Sequence, residues 1–80
     1  MNYTKEFSTG AVYRIFNYDE NRMETITIVS RKDKWLTVTL NNKTFEVRAT
    51  QVTNPYAESI LIDGYCPVFS YEKEIKNEVE

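Results

Sequence analysis

Histidine is absent from these 80 residues, cysteine occurs once, and glycine and proline occur twice each. Without histidine the commonest general base and the commonest metal ligand are missing, so a Ser–His or Cys–His nucleophile cannot be assembled. The one cysteine, Cys66, can close neither an internal disulfide nor a structural zinc site; it reads as a buried structural thiol beside Pro67. Glycine stands only at Gly10 and Gly64, which excludes a glycine-rich phosphate cradle. Two prolines and two glycines also exclude a low-complexity linker. The aliphatic run Ile60-Leu61-Ile62 falls far short of the roughly 20 residues needed to span a bilayer. Asp19-Glu20 and the glutamates near the end read as a solvated loop and tail rather than an acid–base pair. No catalytic residue, cofactor site or metal site is expected, and the chain reads as a non-enzyme.

The opening Met1-Asn2-Tyr3-Thr4-Lys5-Glu6 carries no signal-peptide core. A secreted domain this small would ordinarily be stapled by disulfides. A cytoplasmic location without membrane contact is the expectation.

What is present favours strands. Aromatic residues make up 14% of the chain and six of them are tyrosine; aromatic and β-branched side chains suit a pleated, half-buried surface. The net charge is −2, but residues 1–71 balance eight bases against eight acids, so the excess lies in a tail, 72–80, with four glutamates against Lys73 and Lys76. The expected organisation is one small β domain over 1–71 followed by that acidic tail.

The middle of the chain alternates with period two. Ile26 and Ile28 alternate with Thr25 and Thr27, Leu36, Val38 and Leu40 with Thr37 and Thr39, and Phe45, Val47 and Ala49 with Glu46 and Arg48. These patterns predict half-buried strands near 23–30, 34–41 and 43–50. Asn41-Asn42 suits a two-residue type I′ turn, because asparagine tolerates the left-handed backbone at both positions. That turn sets Leu40 opposite Lys43, Val38 opposite Phe45, Leu36 opposite Val47 and Trp35 opposite Arg48. A three-residue loop at Arg31-Lys32-Asp33 would set Ile28 opposite Leu36 and Ile26 opposite Val38.

The flanks predict a first strand over 10–16 and a short strand at Ser59–Ile62 closed by an Asp63-Gly64 turn. Tyr65–Phe69 reads as an edge strand, where Pro67 costs no ladder bond. Thr53-Asn54-Pro55 predicts a single helical turn near 54–58. Ile75 and Val79, four apart, suggest a short C-terminal helix that frays. The fold class is therefore mainly all-β: a five- to six-stranded antiparallel meander curled into an SH3-like barrel, with an open meander against a C-terminal helix as the second choice.

In the hairpin register Leu36 faces the core, which turns Trp35 outward beside Arg48. Such a pair reads either as a cation–π cover on the sheet or as a binding hot spot. Arg31, Lys32 and Lys34 add a basic hairpin that could meet a nucleic-acid backbone, or simply be solvated. The candidate contact residues are Trp35, Arg48, Arg31, Lys32 and Lys34.

Gly10-Ala11-Val12-Tyr13, Ile26-Thr27-Ile28-Val29-Ser30-Arg31 with Leu36-Thr37-Val38-Thr39-Leu40, and Tyr65-Cys66-Pro67-Val68-Phe69 together resemble a group of small uncharacterised proteins. Its members are carried on phages and conjugative elements of Gram-positive bacteria. The chain departs from that pattern at Trp35 and in lacking a threonine after the arginine. The resemblance implies an accessory protein of a mobile element and carries no catalytic residue over. The leading expectation is an interaction module that contacts a protein partner through the Trp35/Arg48 face. Nucleic-acid binding by the basic hairpin, inhibition of a host nuclease or defence system, and assembly through edge strands are the alternatives. The chain is expected to be a monomer or a weak homo-oligomer.

Overall fold

The structure is a computed structural model that describes residues 5–53 and 56–75. Within them lie seven strands: β1 Val12–Asn17, β2 Arg22–Lys32, β3 Trp35–Leu40, β4 Lys43–Arg48, β5 Thr50–Thr53, β6 Tyr56–Ile60 and β7 Val68–Phe69. They form two antiparallel sheets, β1-β2-β3-β4 and β5-β6-β7. The protein is all-β, as its alternation predicts.

The β3–β4 hairpin forms in the expected register, from Leu40 opposite Lys43 to Trp35 opposite Arg48. Asn41 and Asn42 both take positive φ, 54° and 66°, the backbone that a type I′ turn requires. The apolar series Ile26, Ile28, Leu36, Val38 and Leu40 is buried in the inter-sheet core.

The β2–β3 register differs from the expectation. Ile26 faces Leu40 and Ile28 faces Val38; Ser30 then faces Thr37, so Val29 is an extra residue in β2. This β-bulge lets β2 run on to Lys32, and the connection shortens to Asp33-Lys34 with Asp33 at φ 57°. An inserted residue reverses which side chains face inward. Thr25 and Thr27 lie on the outer face before the bulge, whereas Ser30 and Lys32 lie there after it. Arg31, opposite the fully buried Leu36, is thereby turned toward the core.

The two sheets meet at two seams. On one side β4 passes into β5 through the buried Ala49. On the other, the segment before β7 crosses to β1: Tyr65 bridges Asn17, and the Cys66 N–H donates to the Phe16 carbonyl at 2.9 Å. Gly64, at φ +84°, makes the turn into this crossing, and its carbonyl accepts the Tyr18 N–H at 2.9 Å. Glu24 accepts bonds from Asn17 (2.9 Å), the Tyr65 hydroxyl (3.1 Å) and Arg22 (2.9 Å), which ties the crossing to the β1–β2 ladder. Farther along β1 the Val12 carbonyl accepts the Ile75 N–H at 2.7 Å.

Several expectations are corrected. Among the described residues the strands form two joined antiparallel sheets, and no closed barrel is found. The helical turn near 54–58 gives way to strand β6 at 56–58, where Ala57 and Glu58 are buried; Asn54 and Pro55 lie outside the described residues. Residues 72–75 are not helical, and 76–80 of the expected C-terminal helix lie outside the described residues. The edge strand expected over 65–69 is split into the Tyr65 bridge and β7, because the segment serves both sheets.

Candidate functional site

Alternation and pairing arrange the outer face of the four-stranded sheet in rows. Lys32, Trp35 and Arg48 form one row across β2, β3 and β4. The next holds Ser30, Thr37 and Glu46, and beyond it Val12, Thr27, Thr39 and Thr44 lie side by side. Facing residues on neighbouring strands stand about 5 Å apart, so Trp35 has a cation on each flank.

Trp35 is 48% exposed. Together with Lys32, Asp33 and Glu46 it lines an open depression of about 400 Å³. Among the described residues neither Lys32 nor Arg48 is in an ion pair, whereas Arg22 pairs with Glu24 and Arg31 with Glu58. The two flanking cations are thus available to a ligand.

Arg31 and Lys34 do not join this row. The bulge sends Arg31 inward, where its guanidinium grips the Glu58 carboxylate through two bonds of 2.7 and 2.6 Å. Its Nε donates to the Asp33 carbonyl at 2.7 Å, fastening the turn. Glu58 is buried; it also accepts the Phe7 N–H at 3.0 Å, and its own N–H donates to the Ser70 hydroxyl at 2.8 Å. Burial pushes the Glu58 carboxyl upward, but the hydrogen bonds from Arg31 and Phe7 and the charges of Arg31 and Lys34 outweigh it and hold the group below its ordinary value. Lys34 lies exposed in the turn, where its carbonyl accepts the Ala49 N–H at 2.8 Å.

Among the described residues no group of three His, Cys, Asp or Glu side chains could hold a metal ion. Cys66 is half-buried, and its thiol shares a hydrogen bond with the exposed Tyr18, raising that phenol. The Tyr13 hydroxyl is buried without a partner among the described residues. Burial, followed by the carboxylates of Glu74, Glu72 and Glu58, pushes it up to about 12. A phenol so reluctant to ionise is a core group rather than a base.

Of the five residues singled out from the sequence, the structure brings Lys32, Trp35 and Arg48 together and places Arg31 and Lys34 elsewhere. Asp33 and Glu46, which share the depression with Trp35, were not among them; for Glu46 the hairpin register already carried the signal, opposite Thr37 and two residues from Arg48. No helix among the described residues is long and apolar enough to cross a membrane. Comparison of the chain with protein-family models, with curated proteins and with solved structures finds no match.

Proposed function

We propose that this chain is a non-enzymatic interaction module that contacts a protein partner through the Lys32–Trp35–Arg48 row. The observation that carries this reading is a half-exposed tryptophan between two cations that have no carboxylate partner among the described residues. Tryptophan and arginine are enriched among the few residues that dominate interface energetics. Asp33 and Glu46 on the rim of the same depression favour a polypeptide, whose amides and ammonium groups they complement, over a polyanion that they would repel. The seams at Ala49 and Tyr65 support reading the fold as an open SH3-like barrel, and the resemblance to mobile-element proteins supports an accessory role in the cytoplasm.

Trp35→Ala is expected to abolish partner recovery in a pull-down, with a loss of at least about 2 kcal/mol, roughly 30-fold in affinity. Unfolding free energy should stay within about 0.5 kcal/mol of the parent, as for most surface substitutions. Unchanged recovery by the folded variant would overturn the proposal. A gel shift with single-stranded or duplex DNA that weakens steeply with salt would instead assign the face to nucleic acid.

A further inference from the structure

β4 ends the four-stranded sheet. The Ala49 N–H bonds Lys34 on the β3 side, and successive residues of a strand direct their backbone groups to opposite edges. The N–H and C=O groups of Arg48, Glu46 and Thr44 therefore face away from β3, along an edge that no described strand covers. On the inner face of β4, Phe45 and Val47 pack against the core yet are only half-buried. An uncovered edge of this kind is a template for another strand.

The strand that fits it is β4 itself. Set two copies antiparallel about a twofold axis at Val47, and Val47 faces Val47 of the second copy. Arg48 then faces Glu46 of the second copy, Glu46 faces its Arg48, and Phe45 faces its Ala49. Both charge pairs fall at positions whose backbone groups point outward, so each also exchanges two backbone hydrogen bonds. Sliding the strands by two residues in either direction sets Glu46 against Glu46 or Arg48 against Arg48, and like charges directly opposite destabilise a sheet. Charge thus disfavours both neighbouring registers.

We propose that the chain forms a homodimer by this antiparallel pairing of β4 edges, making one eight-stranded sheet. A twofold contact of this kind uses the same edge on both copies and closes on itself. It goes beyond the partner-binding reading and shares Arg48 and Glu46 with that face. In the dimer these two pair with each other across the edge, and Lys32 and Trp35 remain open to a partner. With strands about 4.8 Å apart and a rise of about 3.4 Å per residue, the two Trp35 positions lie on one face about 16 Å apart. The dimer therefore presents a doubled binding platform.

Sedimentation equilibrium tests this with the parent chain, Glu46→Arg, Arg48→Glu and an equimolar mixture of the two variants. The parent should sediment at twice its 9.5 kDa chain mass. Each variant turns two attractive pairs into two repulsive ones and should associate about 30-fold more weakly. The mixture should recover the dimer, because arginines at 46 and 48 of one variant face glutamates at 48 and 46 of the other. Circular dichroism confirms folding, which exposed side chains without ion pairs among the described residues should not disturb. A parent that stays monomeric at the highest attainable concentration, variants that dimerise like the parent, or a mixture that fails to re-associate would each overturn the proposal. Trp35→Ala should still dimerise, which separates this test from that of the partner-binding face.

Discussion

Arg31→Met is expected to lower the unfolding free energy by about 3–5 kcal/mol, because it strands the Glu58 carboxylate in the interior without its counter-charge. A chain of this length is held by only about 4–12 kcal/mol in total, so the variant should be marginally folded. The double variant Arg31→Met/Glu58→Leu should recover much of the loss. Exchanging a whole buried ion pair for apolar groups is often neutral or better. Urea unfolding of the three proteins measures this directly. The same pair has a definite pH signature. Glu58 is held below its ordinary value in the folded parent, so its stabilisation is complete above the unfolded carboxylate pKa of about 4.3 and is lost as pH falls through the lower folded value. In Arg31→Met burial should instead raise the folded value, and the resulting penalty should vanish in acid. The stability gap between parent and Arg31→Met should therefore be widest at neutral pH and narrow toward pH 3. A gap independent of pH would show that the pair is not ionised in the folded state.

Phe7→Ala is expected to cost a further 3–5 kcal/mol or so by the cavity it leaves. Phe7 precedes the first strand yet is 2% exposed, with its ring edge-on to Tyr13 at 5.3 Å and 86°. Such aromatic pairs add about 0.5–1.5 kcal/mol beyond the area they bury. Its neighbourhood is tied down as well: the Lys5 N–H donates to the Tyr56 carbonyl at 3.2 Å, and the Lys5 carbonyl accepts the Ser70 hydroxyl at 2.5 Å. Removing the ring should loosen this whole end of the inter-sheet core. Thermal unfolding should report a fall in Tm of more than about 10 °C, and Phe7→Leu should retain most of the stability. A Phe7→Ala variant that melts with the parent would mean that the N-terminal segment merely lies against the fold.

The parts of the fold that were legible are those where local chemistry and long-range packing agree. Asn41-Asn42 states its turn type, and the alternation on either side can bury its apolar set in only one register. Between β2 and β3 the turn was less explicit. Asp33-Lys34 and Arg31-Lys32-Asp33 are both reasonable connections, and the bulge at Val29 leaves no mark except an apolar side chain where a polar one would continue the pattern. That one residue decides the site, because it changes Arg31 from a surface cation into the partner of a carboxylate 27 positions away. Glu58 could not be recognised as interior, since a buried acid differs from a solvated one only in the base that happens to face it. Thr53-Asn54-Pro55 carries helix-start chemistry, but pairing of Tyr56–Ile60 with β5 and β7 prevails over that local preference. Phe7 gave no periodic signal at all, being an isolated apolar residue among polar neighbours. Trp35 was legible because it borrows its orientation from Leu36, whose burial the hairpin register demands.

The central claim is that the bulge turns Arg31 inward while Trp35 stays open to solvent between Lys32 and Arg48, as the surface that a partner covers. Trp35 is the chain's single tryptophan, so its fluorescence tests the claim without labels. The isolated protein should emit at the long wavelength of an indole in water and be quenched readily by acrylamide, and bound partner should shift the emission to shorter wavelength and protect it. Short-wavelength emission resistant to quencher in the isolated protein would contradict the account.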